Sequence, residues 1–177
     1  MVAVLNPVDI PTQAEFHEVI AARANRWYAA CLRITHDPGL AEDAVQDALL
    51  SAWNKRHQYQ RSARLDTWIH RIAVNAALQL IRKIRPGSSE PLEFEITDDA
   101  STPDVARAED ELDTDLTAAL HGLTDIERIS FVLKHLEQWR LSEIAEELDT
   151  TVGTIKQALF RGVKKLRVSM AHLRSAS

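Results

Sequence analysis

Cysteine, glycine and proline are scarce in this sequence, and each shortage narrows the class of protein. The single cysteine, Cys31, has no partner for an internal disulfide, so a reducing, cytoplasmic setting is expected. Only five glycines and six prolines occur in 177 residues, of which 45% are hydrophobic, and this composition favours helical globular packing. No apolar run approaches the roughly 20 residues that span a bilayer, so no membrane insertion is expected. Residues 1–11 also lack the basic and apolar parts of a secretory signal.

Signatures of catalysis are missing as well. The seven histidines show no metal-ligand spacing with Cys31, and no glycine loop of the phosphate-binding kind occurs. No candidate nucleophile has an evident base nearby. We therefore expect no catalytic residue, no metal and no cofactor, and a protein that acts by binding rather than as an enzyme.

The net charge of −5 conceals an uneven distribution along the chain. Residues 85–115 contain eleven acidic and two basic side chains, so the remainder of the chain is positively charged. Residues 55–85 contain eight basic side chains and one acidic, and residues 151–177 contain six basic and none acidic. Two basic segments separated by an acidic one favour nucleic-acid binding, although the overall pI is near 5.8.

Helical periodicity and capping signals predict an all-α fold. Thr12-x-x-Glu15 and Thr124-x-x-Glu127 form possible capping boxes, and Asp37-Pro38 supplies an N-cap and an N1 proline. Asp66 is expected to cap a third helix. The expected core face of that third helix comprises Ile69, Ile72, Ala73, Ala76 and Leu80. Its outer face is expected to comprise Arg71, Asn75, Leu78 and Arg82. We expect two small helical domains, residues 12–84 and 112–172, joined by an acidic, flexible linker at 85–111. The disordered N-terminus would be 1–11, and the tail 173–177.

The last third of the chain predicts a helix-turn-helix. An apolar stripe marks a short first helix at Leu141, Ile144, Ala145 and Leu148. In the turn that follows, Asp149 tolerates the left-handed conformation that such turns often need. Thr151 can cap the next helix, whose expected buried stripe comprises Val152, Ile155, Leu159, Val163 and Leu166. Gln157 then points away from that stripe, on a face of amide, hydroxyl and basic groups that suits the major groove. The alternative is an ordinary amphipathic helix with a solvated basic face.

Two sets of motifs resemble a known family. Leu141-Ser-Glu-Ile-Ala-Glu-Glu-Leu148, Val152-Gly-Thr-Ile-Lys156 and Phe160-Arg161 resemble region 4 of bacterial sigma-70-type factors. Ala41-Glu-Asp-Ala-Val-Gln-Asp47 with Trp53, followed by Thr67-Trp68-Ile-His-Arg-Ile-Ala-Val-Asn75, resembles region 2. Two such regions without region 1.1 or region 3 are the layout of the extracytoplasmic-function (ECF, group 4) type. The resemblance covers roughly residues 12–84 and 112–170.

The resemblance implies a transcription initiation factor and its partners. Such a sigma factor binds the clamp and flap regions of core RNA polymerase and directs it to promoter DNA. Region 4 would recognise the −35 element as duplex, and region 2 would capture the melted −10 strand. Group members are commonly held inactive by an anti-sigma factor. The linker would thread the active-site cleft and RNA exit channel, where its acidic side chains imitate nucleic acid; a solvated spacer is the alternative.

The candidate site residues form three sets. The −35 set comprises Thr151, Thr154, Lys156, Gln157, Phe160, Arg161, Lys164 and Lys165. The −10 set offers cations for phosphates, a ring for stacking and an amide for a base edge, and comprises Tyr59, Arg61, Ser62, Arg64, Arg71, Asn75 and Arg82. The set for core polymerase lies on the helix that begins at Asp37-Pro38, on the side opposite its apolar residues. It comprises Asp43, Gln46, Asp47 and Leu50.

The sequence departs from the family pattern in places. Family recognition helices often carry Ser-Arg where this chain has Gln157-Ala158, and the −10 loop often has a glycine near Arg61 and an aromatic residue near Leu65. A stand-alone helix-turn-helix regulator that binds duplex DNA without polymerase is the main alternative function. An adaptor whose first domain binds only protein is a second.

Overall fold

The computed structural model describes residues 10–84 and 109–175, and in these ranges the backbone is helical without a β-strand. The all-α expectation is therefore confirmed. The chain divides into two compact units, residues 1–86 and 87–177, and each is considered by itself. Residues 1–9 of the predicted disordered N-terminus, most of the acidic linker and the end of the tail lie outside the described residues. Pro11, which was predicted to be disordered, is buried. No helix in the described ranges is both long enough and apolar enough to cross a membrane.

The first unit contains three long helices, α1 (Gln13–Thr35), α2 (Pro38–Asn54) and α3 (Leu65–Ile84), and a short 3₁₀ turn (Arg56–Gln58). Two predicted helix starts are confirmed. The Thr12 hydroxyl accepts a hydrogen bond from the Glu15 backbone N–H at 3.2 Å, and the Glu15 carboxylate accepts one from the Thr12 N–H at 2.7 Å. The Asp37 carboxylate accepts from the Leu40 N–H at 3.0 Å, with Pro38 in the first turn of α2.

Small residues on α2 let its neighbours approach closely. Its buried face consists of four alanines: Ala41, Ala44, Ala48 and Ala52. The large core side chains come from the helices on either side, and include Trp27 and Ile34 of α1 and Ile69 of α3, all fully buried. Cys31 is buried as expected, and its Sγ donates to the Ala73 carbonyl oxygen at 3.5 Å. This cysteine is therefore a packing residue.

The structure corrects two expectations for α3. Asp66 is not the N-cap: it lies in the first turn, where its carboxylate pairs with Arg23 at 3.3 Å and with Arg64 at 3.2 Å. The buried face of α3 comprises Ile69, Ala73, Val74, Ala77 and Leu78, so the helix is rotated relative to the predicted stripe. Leu78, expected on the outer face, lies in the core. In this part of α3 apolar residues occur on more than one face of the helix, so periodicity alone did not identify the buried face.

The second unit contains α4 (Glu109–Leu120), α5 (Asp125–Phe131), α6 (Leu141–Glu147) and α7 (Val152–Ser175). A π-helical segment, Val132–Leu136, directly continues α5. The predicted capping box at Thr124 and Glu127 opens α5. The predicted short helix and long second helix of the helix-turn-helix are confirmed as α6 and α7.

The buried face of α7 also differs from its predicted stripe. It comprises Ile155, Ala158, Gly162 and Leu166, whereas Val152 is exposed and Leu159 and Val163 are half-buried. Ala158, which was not part of the predicted buried stripe, lies in the core. At Gly162 the helix packs against α5: a Cβ on this glycine would lie 3.5 Å from the Glu127 Cβ, an ordinary contact distance. The small residues Ala158 and Gly162 thus belong to the buried face of α7, where the larger Val152, Leu159 and Val163 were predicted to lie.

Candidate nucleic-acid interface

The turn between α6 and α7 is fixed by local hydrogen bonds. Asp149 has a φ of 51°, the left-handed conformation expected there. The Thr150 N–H donates to the Ala145 carbonyl at 2.9 Å. The Thr151 hydroxyl accepts from the Thr154 N–H at 3.2 Å and lies 3.0 Å from the Thr154 hydroxyl. These bonds set the first turn of α7 relative to α6, which a helix that enters a groove requires.

The exposed side of α7 carries the chemistry that duplex recognition uses. Lys156, Gln157 and Lys164 are exposed, and the Phe160 side chain is 74% exposed among them. An amide can pair with a base edge, basic groups neutralise phosphates, and an aromatic ring can contact a thymine methyl. These four predicted −35 residues share one open face.

Two other predicted −35 residues are ion-paired to a buried carboxylate. The Glu127 side chain is 2% exposed, and it accepts hydrogen bonds from Arg161 Nε at 3.2 Å and from Lys165 Nζ at 2.8 Å. Burial acts to raise the pKa of Glu127, but the bonds from Lys165, the Thr124 backbone and Arg161 outweigh it and hold that pKa below its ordinary value. Glu127 was predicted only as a capping residue, since its contacts lie 34 and 38 residues away in sequence.

A second buried ion pair lies beside the first. Arg128 and Asp125 are joined at 2.8 Å, and both side chains are almost fully buried. Burial lowers the pKa of Arg128 to about 10, so the guanidinium keeps its charge at neutral pH. The N-terminal turn of α5 thus contributes two internal ion pairs, which the sequence pattern did not indicate.

In the first unit, the predicted polymerase-binding residues occupy one open side of α2. Asp43, Gln46 and Asp47 are exposed, and the Leu50 side chain is 65% exposed. This side lies opposite the four buried alanines. A large apolar residue surrounded by acidic and amide groups is a typical centre for a protein contact.

The predicted −10 loop is only partly open. Tyr59 is 5% exposed, its hydroxyl donates to the Ala63 carbonyl, and its ring centroid lies 5.2 Å from that of Trp68. The ring therefore packs within the unit and does not present a face for base stacking, contrary to its predicted role. Arg61 has a φ of 53° and pairs with Glu15 at 3.3 Å. Ser62 and Arg64 are exposed, as predicted for DNA contacts.

A groove of about 280 Å³ between α2 and α3 brings two predicted sets together. Asp47 of the polymerase set and Asn75 of the −10 set both line it. Its lining also includes Lys55, Gln79 and Lys83, which the prediction did not include although all three lie within or beside the basic segment. Basic and amide groups around one groove can hold a phosphate and a base edge. Arg71 and Arg82, also predicted, are exposed elsewhere on α3.

Comparisons with known proteins place both units in one family. The family model "Sigma-70 region 2" matches residues 19–86, and "Sigma-70, region 4" matches residues 113–166, which together span well over half of the chain. The chain is 29% identical over 171 residues to the ECF RNA polymerase sigma factor SigW of Bacillus subtilis (strain 168), covering 91% of each. It is 29% identical over 164 residues to the RNA polymerase sigma factor CarQ of Myxococcus xanthus, covering 91% of this chain and 92% of that protein.

Solved structures show the same fold. The sigma factor RpoE in its complex with the anti-sigma factor NepR from Bartonella quintana superposes with a TM-score of 0.57 at 21% identity, over 89% of this chain and 97% of that one. CnrH in complex with the cytosolic domain of CnrY gives a TM-score of 0.50 at 20% identity, over 94% and 92%. With two family regions matched in order and relatives matched over nearly their whole length, the chain belongs to the sigma-70 family of RNA polymerase sigma factors and is of the extracytoplasmic-function type.

Proposed function

We propose that this chain directs core RNA polymerase to promoters by two DNA contacts, one in each unit. In the second unit α7 recognises the −35 element as duplex, and in the first the groove between α2 and α3 captures the melted −10 strand. The observation that carries the proposal is the match to region 2 and region 4 in this order. In this proposal the chain acts in the cytoplasm, where polymerase and promoters are, and performs no catalytic step itself.

The proposed polymerase contact is the exposed side of α2 around Leu50. Its partner is the clamp of the largest polymerase subunits, with a further contact between the second unit and the flap. Leu50→Asp should weaken assembly with core polymerase, because it places a charge at the centre of a contact that excludes water. Ile84→Asp is the matched control, since Ile84 is also an exposed apolar residue but lies at the end of α3. Equal losses in both variants would contradict the assignment.

The proposed −10 contact centres on Asn75, with the basic residues around the groove holding the strand. Asn75→Ala should reduce promoter opening and leave binding to core polymerase unchanged, since the amide is assigned to a base and not to protein. Permanganate reactivity of thymines in the promoter measures opening directly. If opening by Asn75→Ala matched the wild type, the first unit would be a protein-binding adaptor only.

Regulation by an anti-sigma factor is part of the proposal. The analogy comes from the sigma factor RpoE, which shares this fold and whose structure was solved in complex with the anti-sigma factor NepR. An inhibitor of this kind would compete with core polymerase for the side of α2 around Leu50. The competing protein should lose affinity for Leu50→Asp in parallel with polymerase.

The decisive experiment is transcription in vitro. Purified chain and core polymerase are incubated with a library of bacterial genomic fragments, and RNA 5′ ends are mapped. We expect a set of new start sites that share one sequence about 35 and another about 10 positions upstream. Transcription at the core-only background, together with specific duplex binding by the chain, would instead identify a stand-alone regulator.

A further inference from the structure

The Glu127 carboxylate lies directly behind the proposed DNA-binding face of α7. It belongs to α5, is 2% exposed, and contacts two basic residues of α7 that are one turn apart, Arg161 and Lys165. Its own capping role uses the Thr124 backbone N–H, at 3.1 Å from Oε2, and the same Oε2 accepts from Lys165. Oε1 is therefore available for Arg161.

Arg161 binds Glu127 through Nε, at 3.2 Å from Oε1, and 52% of its side chain stays exposed. A bond through Nε leaves the two terminal amino groups of the guanidinium for a second acceptor. The guanidinium is planar, so fixing Nε also fixes the plane in which those groups lie. An arginine held in this way is oriented before its ligand arrives, which lowers the entropic cost of binding.

We propose that Glu127 is a positioning residue for promoter recognition: it orients Arg161 for a contact to the DNA, while Lys165 completes the buried ion pair and does not contact DNA. The proposal rests on the assignment of α7 to duplex DNA. The packing of α5 against α7 at Gly162, with the glycine's Cβ position 3.5 Å from the Glu127 Cβ, keeps the carboxylate in place relative to Arg161.

Glu127→Gln tests the proposal because a positioning role and a merely neutralising role for Glu127 predict opposite changes in affinity for duplex DNA. The substitution keeps the size of the side chain and makes the second unit more positive by one charge. If Glu127 only withholds the basic groups of α7 from DNA, Glu127→Gln should bind duplex more tightly. If it orients Arg161, affinity for the −35 duplex should fall by about tenfold, the effect of losing one hydrogen bond to a charged group.

A double-mutant cycle separates positioning from a general loss of stability. Full-length wild type, Glu127→Gln, Arg161→Ala and the double variant are titrated with a duplex that carries the −35 sequence found by in vitro transcription. We expect Glu127→Gln to have less than a twofold effect in the Arg161→Ala background, because there is no guanidinium left to orient. Additive effects, or tighter binding by Glu127→Gln, would overturn the proposal.

Thr124→Ala is the matched structural control. It removes the other half of the same capping box and destabilises α5, but it leaves the Glu127–Arg161 contact intact. Its affinity per folded molecule, with folding followed by circular dichroism, should equal that of the wild type. If Thr124→Ala weakened duplex binding as much as Glu127→Gln, the effect would be structural and the proposal would fail. Failure of the proposed function itself has a different signature, since the wild-type chain would then yield no promoter-specific transcripts.

Discussion

Arg61 shows how a single residue can keep a backbone conformation that its side chain disfavours. Its φ of 53° lies in the left-handed region, where a Cβ is costly, and its guanidinium is held by Glu15 at 3.3 Å. Glycine would adopt this conformation without penalty, because it has no Cβ.

Arg61→Gly should therefore be more stable than Arg61→Ala by about 1 kcal/mol, the reverse of the usual order of these residues. Both variants lose the ion pair with Glu15 equally, so their difference isolates the backbone conformation. Urea unfolding followed by tryptophan fluorescence measures it, because Trp27, Trp53 and Trp68 lie in the first unit. An alanine variant as stable as the glycine variant would mean that the loop relaxes to another conformation.

Lys164 and Lys165 are adjacent, yet the structure assigns them different roles. Lys165 Nζ is bonded to the buried Glu127 carboxylate at 2.8 Å, whereas Lys164 lies on the exposed side of α7. Lys164→Gln should lower the salt dependence of duplex binding, reducing the slope of log K against log salt by about 0.9 for one lost phosphate contact. Lys165→Gln should leave that slope unchanged and instead lower the midpoint of thermal unfolding. A reduced slope in the Lys165 variant would contradict the assignment.

At the scale of elements, the contact between α5 and α7 predicts a pH dependence. The pKa of Glu127 in the folded chain lies below its ordinary value of 4.5. Its ionised form therefore contributes stability that is fully present above that value and is lost as the pH falls through the lower, folded pKa. As the pH falls below 4.5, wild type should lose thermal stability more steeply than Glu127→Gln, which has no such carboxylate. Parallel curves for the two proteins would show that other carboxylates govern acid unfolding.

Gly162 offers a second test of the same contact. It lies within α7, and a Cβ there would meet Glu127 and Leu123 at 3.5 to 3.8 Å, which is ordinary contact distance. Gly162→Ala should raise the free energy of unfolding by about 0.5–1 kcal/mol, because alanine restricts the unfolded chain and favours helix. Gly153→Ala, in the first turn of α7, is the control and should gain less. A destabilised Gly162→Ala would show that α5 and α7 cannot accommodate one methyl group.

Elements that depend on local chemistry were predictable from the sequence, and faces that depend on packing were not. The capping boxes at Thr12 and Thr124 and the left-handed Asp149 involve residues within a few positions of each other, and the structure confirms all three. The core position of Leu78 was not predictable, because apolar residues surround that part of α3. The Glu127 ion pairs join residues more than 30 positions apart, so only the packed structure brings them together.

The candidate site divides in the same way. Leu50 and Gln157, which were predicted to lie on the outer faces of their helices, are exposed in the structure. Tyr59 was expected to stack on DNA because aromatic rings in basic loops often do, but its neighbour Trp68 covers it. An amphipathic pattern indicates which residues can be exposed, whereas the actual burial of a loop residue depends on contacts from another element.

For the whole molecule, the two units contribute two proposed DNA contacts on one chain. Joining two binding units makes the second contact intramolecular, and such a connection commonly raises the combined affinity 10²- to 10⁴-fold, an order-of-magnitude range, without any new contact. A specific protease site inserted between Gly87 and Ser88 allows the connection to be cut after the chain has folded.

Cutting should reduce promoter-directed transcription by about 100-fold or more at a fixed, limiting protein concentration, because each unit must then bind independently. The helical signal by circular dichroism should stay unchanged, since each unit has its own core. The uncut protein with the same insertion controls for the insertion itself, and raising the concentration of the cut units should partly restore activity. Full transcription by the cut protein at limiting concentration would show that the covalent connection contributes nothing to promoter recognition, and each unit would then be recruited by polymerase on its own.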